Sequence, residues 1–286
     1  MTCLSESGEA QFHLKPTVYK EHKVKVHLQY IFTVAYFIDL NQMETKMANR
    51  LCLITGGSRG LGAALTEHYV EAGWSVREFS RSGESEAHVD ADFSRRESAI
   101  DALDTEMRAL KDEPWEEVLV ILNSAQVGPV GPLAVSKPRD WWQSLDVNLT
   151  LNLSCAGLMQ KHFQGLNARK TLVALSSGAA RQGMEGWGLY CLAKSGLERF
   201  VEAMAQEQAY QANPIGAISI SPGLIDTEMQ AQIRSSNPEH FHQVEQFQSF
   251  QQQGALRPAK QVAGAVTRIA ASDYQPGQCY SVDGWL

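Results

Sequence analysis

The chain has 286 residues, of which 44% are hydrophobic and 20% charged, ample for a sizeable buried core. Its formal net charge of −7 argues against a surface for nucleic acid or for an anionic membrane. Five cysteines (Cys3, Cys52, Cys155, Cys191, Cys279) are odd in number, scattered and without a Cys-x-x-Cys pair. That pattern argues against structural disulfides and zinc, and fits a reducing, cytoplasmic setting. His240 and His242 stand two apart in a polar stretch without metal-site spacing, so no metal is expected.

Residues 1–46 read as an N-terminal extension, separate from a domain over residues 47–286. Val26–Ile38 is aromatic-rich and carries no charge with His27 neutral, but 13 residues including His27 and Gln29 are too few and too polar to span a bilayer. No small-x-small cleavage site follows it. The extension is expected to be disordered or to lie upstream of a true start at Met47, the sharper alternative being an interfacial anchor.

From Arg50 onward, strand and helix patterns alternate. Leu51–Thr55 is a short apolar β-rich run, followed by a glycine turn and a helix over Leu61–Ala72 that Gly73 ends. Val76–Ser80 and His88–Asp92 predict two more strands, and Arg95–Lys111 a helix. Val118–Asn123 is almost continuously apolar, as in a strand buried on both faces. One long helix is predicted over Pro138–Gln160, then a strand at Thr171–Ser176. A helix over Gly188–Tyr210, a strand at Ile215–Ser221, a helix over Pro258–Ala271 and a strand at Cys279–Val282 complete the order. This alternation predicts an α/β fold with a parallel sheet and helices on both faces. In the glutamine-rich stretch Gln243–Gln253, Phe241, Val244, Phe247 and Phe250 recur every three residues, as in an amphipathic helical lid.

Two groups of residues carry chemistry. Thr55-Gly-Gly-Ser-Arg-Gly-Leu-Gly62 follows the first strand and opens the first helix. Glycines there let the backbone approach a pyrophosphate, and the helix N-terminus supplies N–H donors and a favourable dipole. An acid at the end of the second strand would accept from a ribose 2′-hydroxyl. Here the chain reads Ser80-Arg81-Ser82, and Arg59 and Arg81 can instead converge on a 2′-phosphate. This favours NADP(H), with Glu78 as the counter-evidence. The second group is Ser177, Tyr190 and Lys194. Tyr190 and Lys194 are four apart and share one helix face. An ammonium held beside a phenol lowers its pKa, suiting the tyrosine to exchange a proton with a substrate oxygen. Ser177, arriving from a strand end, can hold that oxygen.

Assembled, these motifs resemble the short-chain dehydrogenase/reductase family. The carrying residues are TGGSRGLG (55–62), Asp92, NSAQ (123–126), Asn148 in DVNL, Ser177, YCLAK (190–194) and SPGLIDT (221–227). The resemblance implies a single Rossmann-type doubly wound domain with a seven-stranded parallel sheet, and a tetrad of Asn148, Ser177, Tyr190 and Lys194. It places the cofactor against Gly56, Ser58, Arg59, Gly60, Leu61, Gly62, Arg81, Asp92, Phe93, Asn123 and Ala125. Tyr190, Lys194, Pro222, Gly223, Ile225 and Thr227 complete that contact. Asp92 would meet the adenine, Thr227 the nicotinamide amide, and Asn148 would support a water relay to Lys194. A homodimer or homotetramer packed through the helices bearing Asn148 and Tyr190 is also implied.

PGLIDTEMQAQIR (222–234), Phe241, Phe250 and GALRPAKQVA (254–263) are similar to the branch holding sepiapterin reductase and benzil reductases. That likeness implies NADPH-dependent reduction of an aromatic ketone or vicinal dicarbonyl, with Trp187, Leu224, Met229 and Ile233 against the substrate. The rivals are a 3-oxoacyl-thioester reductase, a secondary alcohol dehydrogenase, and a non-enzymatic NADP sensor. The lid offers only Arg234 for a phosphopantetheine, and a sensor typically loses the tyrosine or the lysine. Gln126 departs from the glycine usual after the fourth strand, which predicts weaker cofactor binding.

Overall fold

The computed structural model describes residues 49–286, so the expectations for residues 1–46 lie outside the described residues. Seven strands form one parallel sheet: β1 (Arg50–Thr55), β2 (Ser75–Ser80), β3 (His88–Asp90), β4 (Glu117–Leu122), β5 (Arg169–Leu175), β6 (Gly216–Ser221) and β7 (Cys279–Ser281). Their spatial order is β3-β2-β1-β4-β5-β6-β7. The order reverses between β1 and β4, which opens a crevice beyond the carboxyl ends of those two strands.

The helices are α1 (Gly60–Glu71), α2 (Arg96–Leu110), α3 (Pro138–Leu145), α4 (Leu151–Phe163), α5 (Gly188–Gln208), α6 (Glu228–Arg234), α7 (Val244–Gln252) and α8 (Ala259–Ala271). Strand alternation divides the core between the two faces. Leu51 and Leu53 of β1 join Leu103 and Met107 of α2 and Cys155 and Met159 of α4. Cys52 and Ile54 join Leu65 and Tyr69 of α1 and Val262 and Val266 of α8. A third, smaller cluster gathers Val127, Trp187, Tyr190, Ile233, Phe241 and Phe247 beyond the sheet.

The long helix predicted over Pro138–Gln160 is instead two helices joined by a π turn at Asp146–Thr150. The cause is polar competition for helix carbonyls. Asn152 Nδ2 donates to Val147 O (3.1 Å) and Asn148 O (3.2 Å), and to Ser124 O (3.1 Å) across the crevice. Such widened turns recur where a side chain is re-aimed at a functional site. Strand β3 ends at Asp90 rather than Asp92, whose carboxylate turns the chain by accepting from Ser94. Strand β7 stops at Ser281, where the serine side chain caps the final turn.

Candidate active site

The glycine turn is clamped between β1 and β4. Gly56 N donates to Phe79 O at 2.7 Å, and Asn123 Nδ2 donates to Thr55 O (3.0 Å) and Gly56 O (2.8 Å). Thr55 Oγ1 accepts from the amides of Asn123 (2.9 Å) and Ser124 (3.0 Å). Only glycine fits within this clamp. A Cβ on Gly62 would lie 2.0 Å from Gly56 O, and Gly56 and Gly60 hold φ of +70° and +55°. Helix α1 begins at Gly60 without a side-chain cap and without an acid in its first turn. Its first N–H donors therefore face the crevice unblocked, and a bare cradle at a helix N-terminus fits a pyrophosphate.

The predicted cofactor residues divide into those that ring this cradle and those that do not. Thr227 Cγ2 would sit 3.2 Å from a Cβ on Gly60, so the Pro222–Thr227 segment closes over the turn. Ser58, Asn123 and Ala125 lie on the loops that follow β1 and β4, and Leu61 and Ile225 are buried beside them. Arg59 and Arg81 face different partners here. Arg59 pairs with Glu228 of α6 at 2.5 Å, whereas Arg81 lies exposed near Asp92. Asp92 keeps its carboxyl below the usual range despite the opposing effect of burial, because Ser94 donates to it and Arg81 and Arg95 stand nearby. The Phe93 ring is buried in the core with Phe79 and Ala91, leaving its main chain rather than its ring for a ligand. Glu78 is also inside: it accepts from Ser80 Oγ (3.3 Å) and meets His88 Nδ1 (2.5 Å), with Oε2 unpartnered.

Ser177, Tyr190 and Lys194 meet at the end of β5. Ser177 leaves that strand in extended conformation, its Oγ accepting from Ala179 N (3.2 Å) and close enough to the Tyr190 phenol to lower its pKa. Lys194 Nζ lies 5.7 Å from the Tyr190 ring centroid and donates to Leu175 O at 2.7 Å. Burial governs both titrations. It pushes Tyr190 up to about 12, opposed by the Ser177 hydrogen bond, and pushes Lys194 down to about 8. The net shift of Tyr190 is therefore upward rather than the lowering expected, because burial outweighs the hydrogen bond from Ser177. Asn148 is fully buried on the π turn. It accepts from Gln126 N (2.7 Å) and donates to Gln126 O (2.9 Å) and Ser144 Oγ (3.2 Å), so its amide holds the loop that carries Gln126.

The predicted substrate residues do come together. Trp187, Ile233, Leu224 and Met229 share one apolar cluster with Tyr190. Trp187 stands edge-on to Tyr190 (centroids 5.6 Å apart) and is stacked on Phe241 (5.5 Å, 15°), with Phe247 5.3 Å away. Helices α6 and α7 supply most of this cover, as expected of a lid. Two residues escaped the sequence reading. Asn152 ties Thr55 to Ser124, and Glu198 accepts from Ser176 Oγ (2.5 Å) and Cys279 Sγ (3.2 Å). The signal for Glu198 was its place four residues beyond Lys194, on the same buried helix face. A hollow of about 440 Å³ lined by Arg169, Gly216 and Tyr274 opens at the amino ends of β5 and β6, remote from this chemistry.

A short chain dehydrogenase family model matches residues 50–238. The chain is 31% identical to a benzil reductase, (S)-benzoin forming, of Bacillus subtilis, over 82% of this chain and 99% of that one. It is 27% identical to a sepiapterin reductase of Meriones unguiculatus, over 70% and 84%. A solved short-chain dehydrogenase/reductase of Saccharomyces cerevisiae superposes with a TM-score of 0.70 at 22% identity, covering 82% of this chain and 96% of that one. Among the described residues no helix is long and apolar enough to cross a membrane. The strand order, the glycine cradle and these likenesses agree: the chain belongs to the short-chain dehydrogenase/reductase family, oxidoreductases that act on carbonyl and alcohol groups through a nicotinamide dinucleotide.

Proposed function

We propose that the protein is an NADPH-dependent carbonyl reductase of the cytoplasm, acting on aromatic ketones or vicinal dicarbonyls. The observation that carries this reading is the Tyr190 phenol: buried, protonated, beside Ser177 and walled by aromatic rings. A phenol in that state carries its proton throughout the neutral range and so has one to give to a substrate oxygen. A bound reduced nicotinamide supplies the hydride that reaches the carbonyl carbon. Ser177 and Tyr190 hold the carbonyl oxygen, and as the C=O electron pair moves onto that oxygen the Tyr190 proton follows it, giving the alcohol. The Lys194 ammonium stabilises the tyrosinate left behind, and Asn148 fixes the loop beside it. Benzil, the substrate of the Bacillus subtilis relative, is an aromatic vicinal dicarbonyl and matches the aromatic walls.

For the 2′-phosphate, Arg59 and Arg81 remain the candidate partners. An exposed ion pair such as Arg59–Glu228 is worth at most about 1 kcal/mol, so a phosphate can displace Glu228. Ser80, not an acid, ends β2, and the Glu78 carboxylate is engaged by His88 and Ser80. Trp142 and Leu192, both exposed, lie on α3 and α5 and support a homodimer or homotetramer through that face. The test follows cofactor oxidation at 340 nm with NADPH and NADH against benzil, 1-phenyl-1,2-propanedione, sepiapterin and an acetoacetyl thioester. Turnover of the diketones with NADPH is expected. Silence across the panel with tight NADPH binding would support a sensor instead.

A further inference from the structure

Trp187 immediately precedes α5, three residues before Tyr190, and is only 5% exposed. Its indole Nε1 is buried without any hydrogen-bond partner. The apolar side chains clustered with it (Val127, Ile233, Phe241, Val244, Phe247) carry no acceptor. Buried N–H groups are almost always paired, and an exception inside a binding site marks a donor whose acceptor arrives with the ligand. Aromatic packing alone does not account for an indole here, since a phenylalanine would stack on Phe241 and Phe247 without burying a donor. The ring centroid lies 5.6 Å from that of Tyr190, edge to face, so the indole is an immediate neighbour of the phenol proposed to hold a carbonyl oxygen.

We infer that Trp187 is the residue that selects 1,2-dicarbonyls over simple ketones, its Nε1–H donating to the second oxygen while Ser177 and Tyr190 hold the first. This rests on the carbonyl-reductase reading and deepens it. A 1,2-dicarbonyl sets its two oxygens on adjacent carbons, one for the phenol and one for the indole. A mono-ketone leaves the indole N–H unpaired, and a site with a buried unpaired donor discriminates strongly against the ligand that fails to satisfy it.

The test compares 1-phenyl-1,2-propanedione with propiophenone, which lacks only the second carbonyl, in wild type and in Trp187→Phe. The quantity read is the ratio of kcat/KM for the two ketones, from which any loss of active enzyme cancels. Trp187→Phe is expected to lower that ratio roughly tenfold, as loss of one hydrogen bond does, and to act mainly on the diketone. Phe241→Leu, which removes stacking but no donor, should lower both substrates together and leave the ratio unchanged. An unchanged ratio in Trp187→Phe overturns the inference while leaving the reductase reading intact. Should Trp187→Phe turn over neither ketone, the wild-type ratio decides. A ratio above that for borohydride reduction of the same pair supports the donor, and one no larger overturns it. No turnover of either ketone by wild type, with NADPH or NADH, removes the reductase reading and the inference together.

Discussion

Replacing Lys194 with methionine should make the stability of the protein less dependent on pH on the alkaline side. Burial lowers the Lys194 pKa from 10.5 to about 8, and the residue is only 2% exposed. Between these two values the unfolded chain carries a proton on Lys194 that the folded chain does not, so unfolding takes up a proton and stability rises with pH. Integrated over that window the gain is about 3 kcal/mol, and below pH 8 it is absent because both states are protonated. In Lys194→Met the gain vanishes. The variant also leaves Leu175 O without its donor, which costs about 1–3 kcal/mol, but that offset is constant with pH and drops out of the comparison. Tyr190 moves the opposite way, yet only from pH 10 upward, and it is present in both proteins. Urea unfolding followed by tryptophan fluorescence from pH 7.5 to 10 reads the difference directly. Parallel stability curves for wild type and variant would show that the lysine is not dehydrated as the structure has it.

Tyr190→Phe should lower turnover by roughly 10²–10⁴-fold while leaving nucleotide affinity within a few-fold, read by steady-state rates and a fluorescence titration. Wild-type reduction should slow as pH rises through about 8, where the Lys194 ammonium loses its proton, while the phenol, titrating near 12, keeps its own; a rate that stays flat to pH 10 would detach Lys194 from the step. Gly62→Ala places a Cβ 2.0 Å from Gly56 O and 2.6 Å from Asn123 Nδ2, so the clamp must open. Nucleotide affinity should fall steeply and stability by about 1–3 kcal/mol, checked by titration and by thermal melting. Arg81→Asp should shift preference from NADPH toward NADH; an unchanged kcat/KM ratio for the two cofactors would dissociate Arg81 from the 2′-phosphate.

The strands and the cofactor cradle were legible because they depend on local pattern. Val118–Asn123 is apolar throughout because both faces of β4 are covered, and the glycines of residues 56–62 stand where a Cβ would meet backbone. The break at Asp146–Thr150 was hidden by composition, since Pro138–Gln160 keeps a helical pattern through it. What splits the helix is Asn152 reaching across to Ser124, a contact between segments 28 residues apart that no periodicity reveals. The engagement of Arg59 by Glu228 was hidden for the same reason: the partners lie 169 residues apart and meet because α6 folds back over the glycine turn.

The sign of the Tyr190 shift marks a different limit. Spacing correctly put a phenol and an ammonium on one helix face, and at that level an attraction between ammonium and phenolate is the natural inference. But attraction and dehydration both grow as water is excluded, and which prevails depends on what else each group bonds. Lys194 gives one hydrogen bond to the Leu175 carbonyl and lies 5.7 Å from the ring centroid, while aromatic and aliphatic side chains of α5, α6 and α7 enclose the phenol. Dehydration therefore dominates, and the phenol keeps its proton. The same enclosure that raises the Tyr190 pKa keeps the phenol protonated through the neutral range. The protonation state of Tyr190 is thus set by the apolar cover over the site, which comes from segments remote in sequence, as much as by the Ser177, Tyr190 and Lys194 spacing that first marks it.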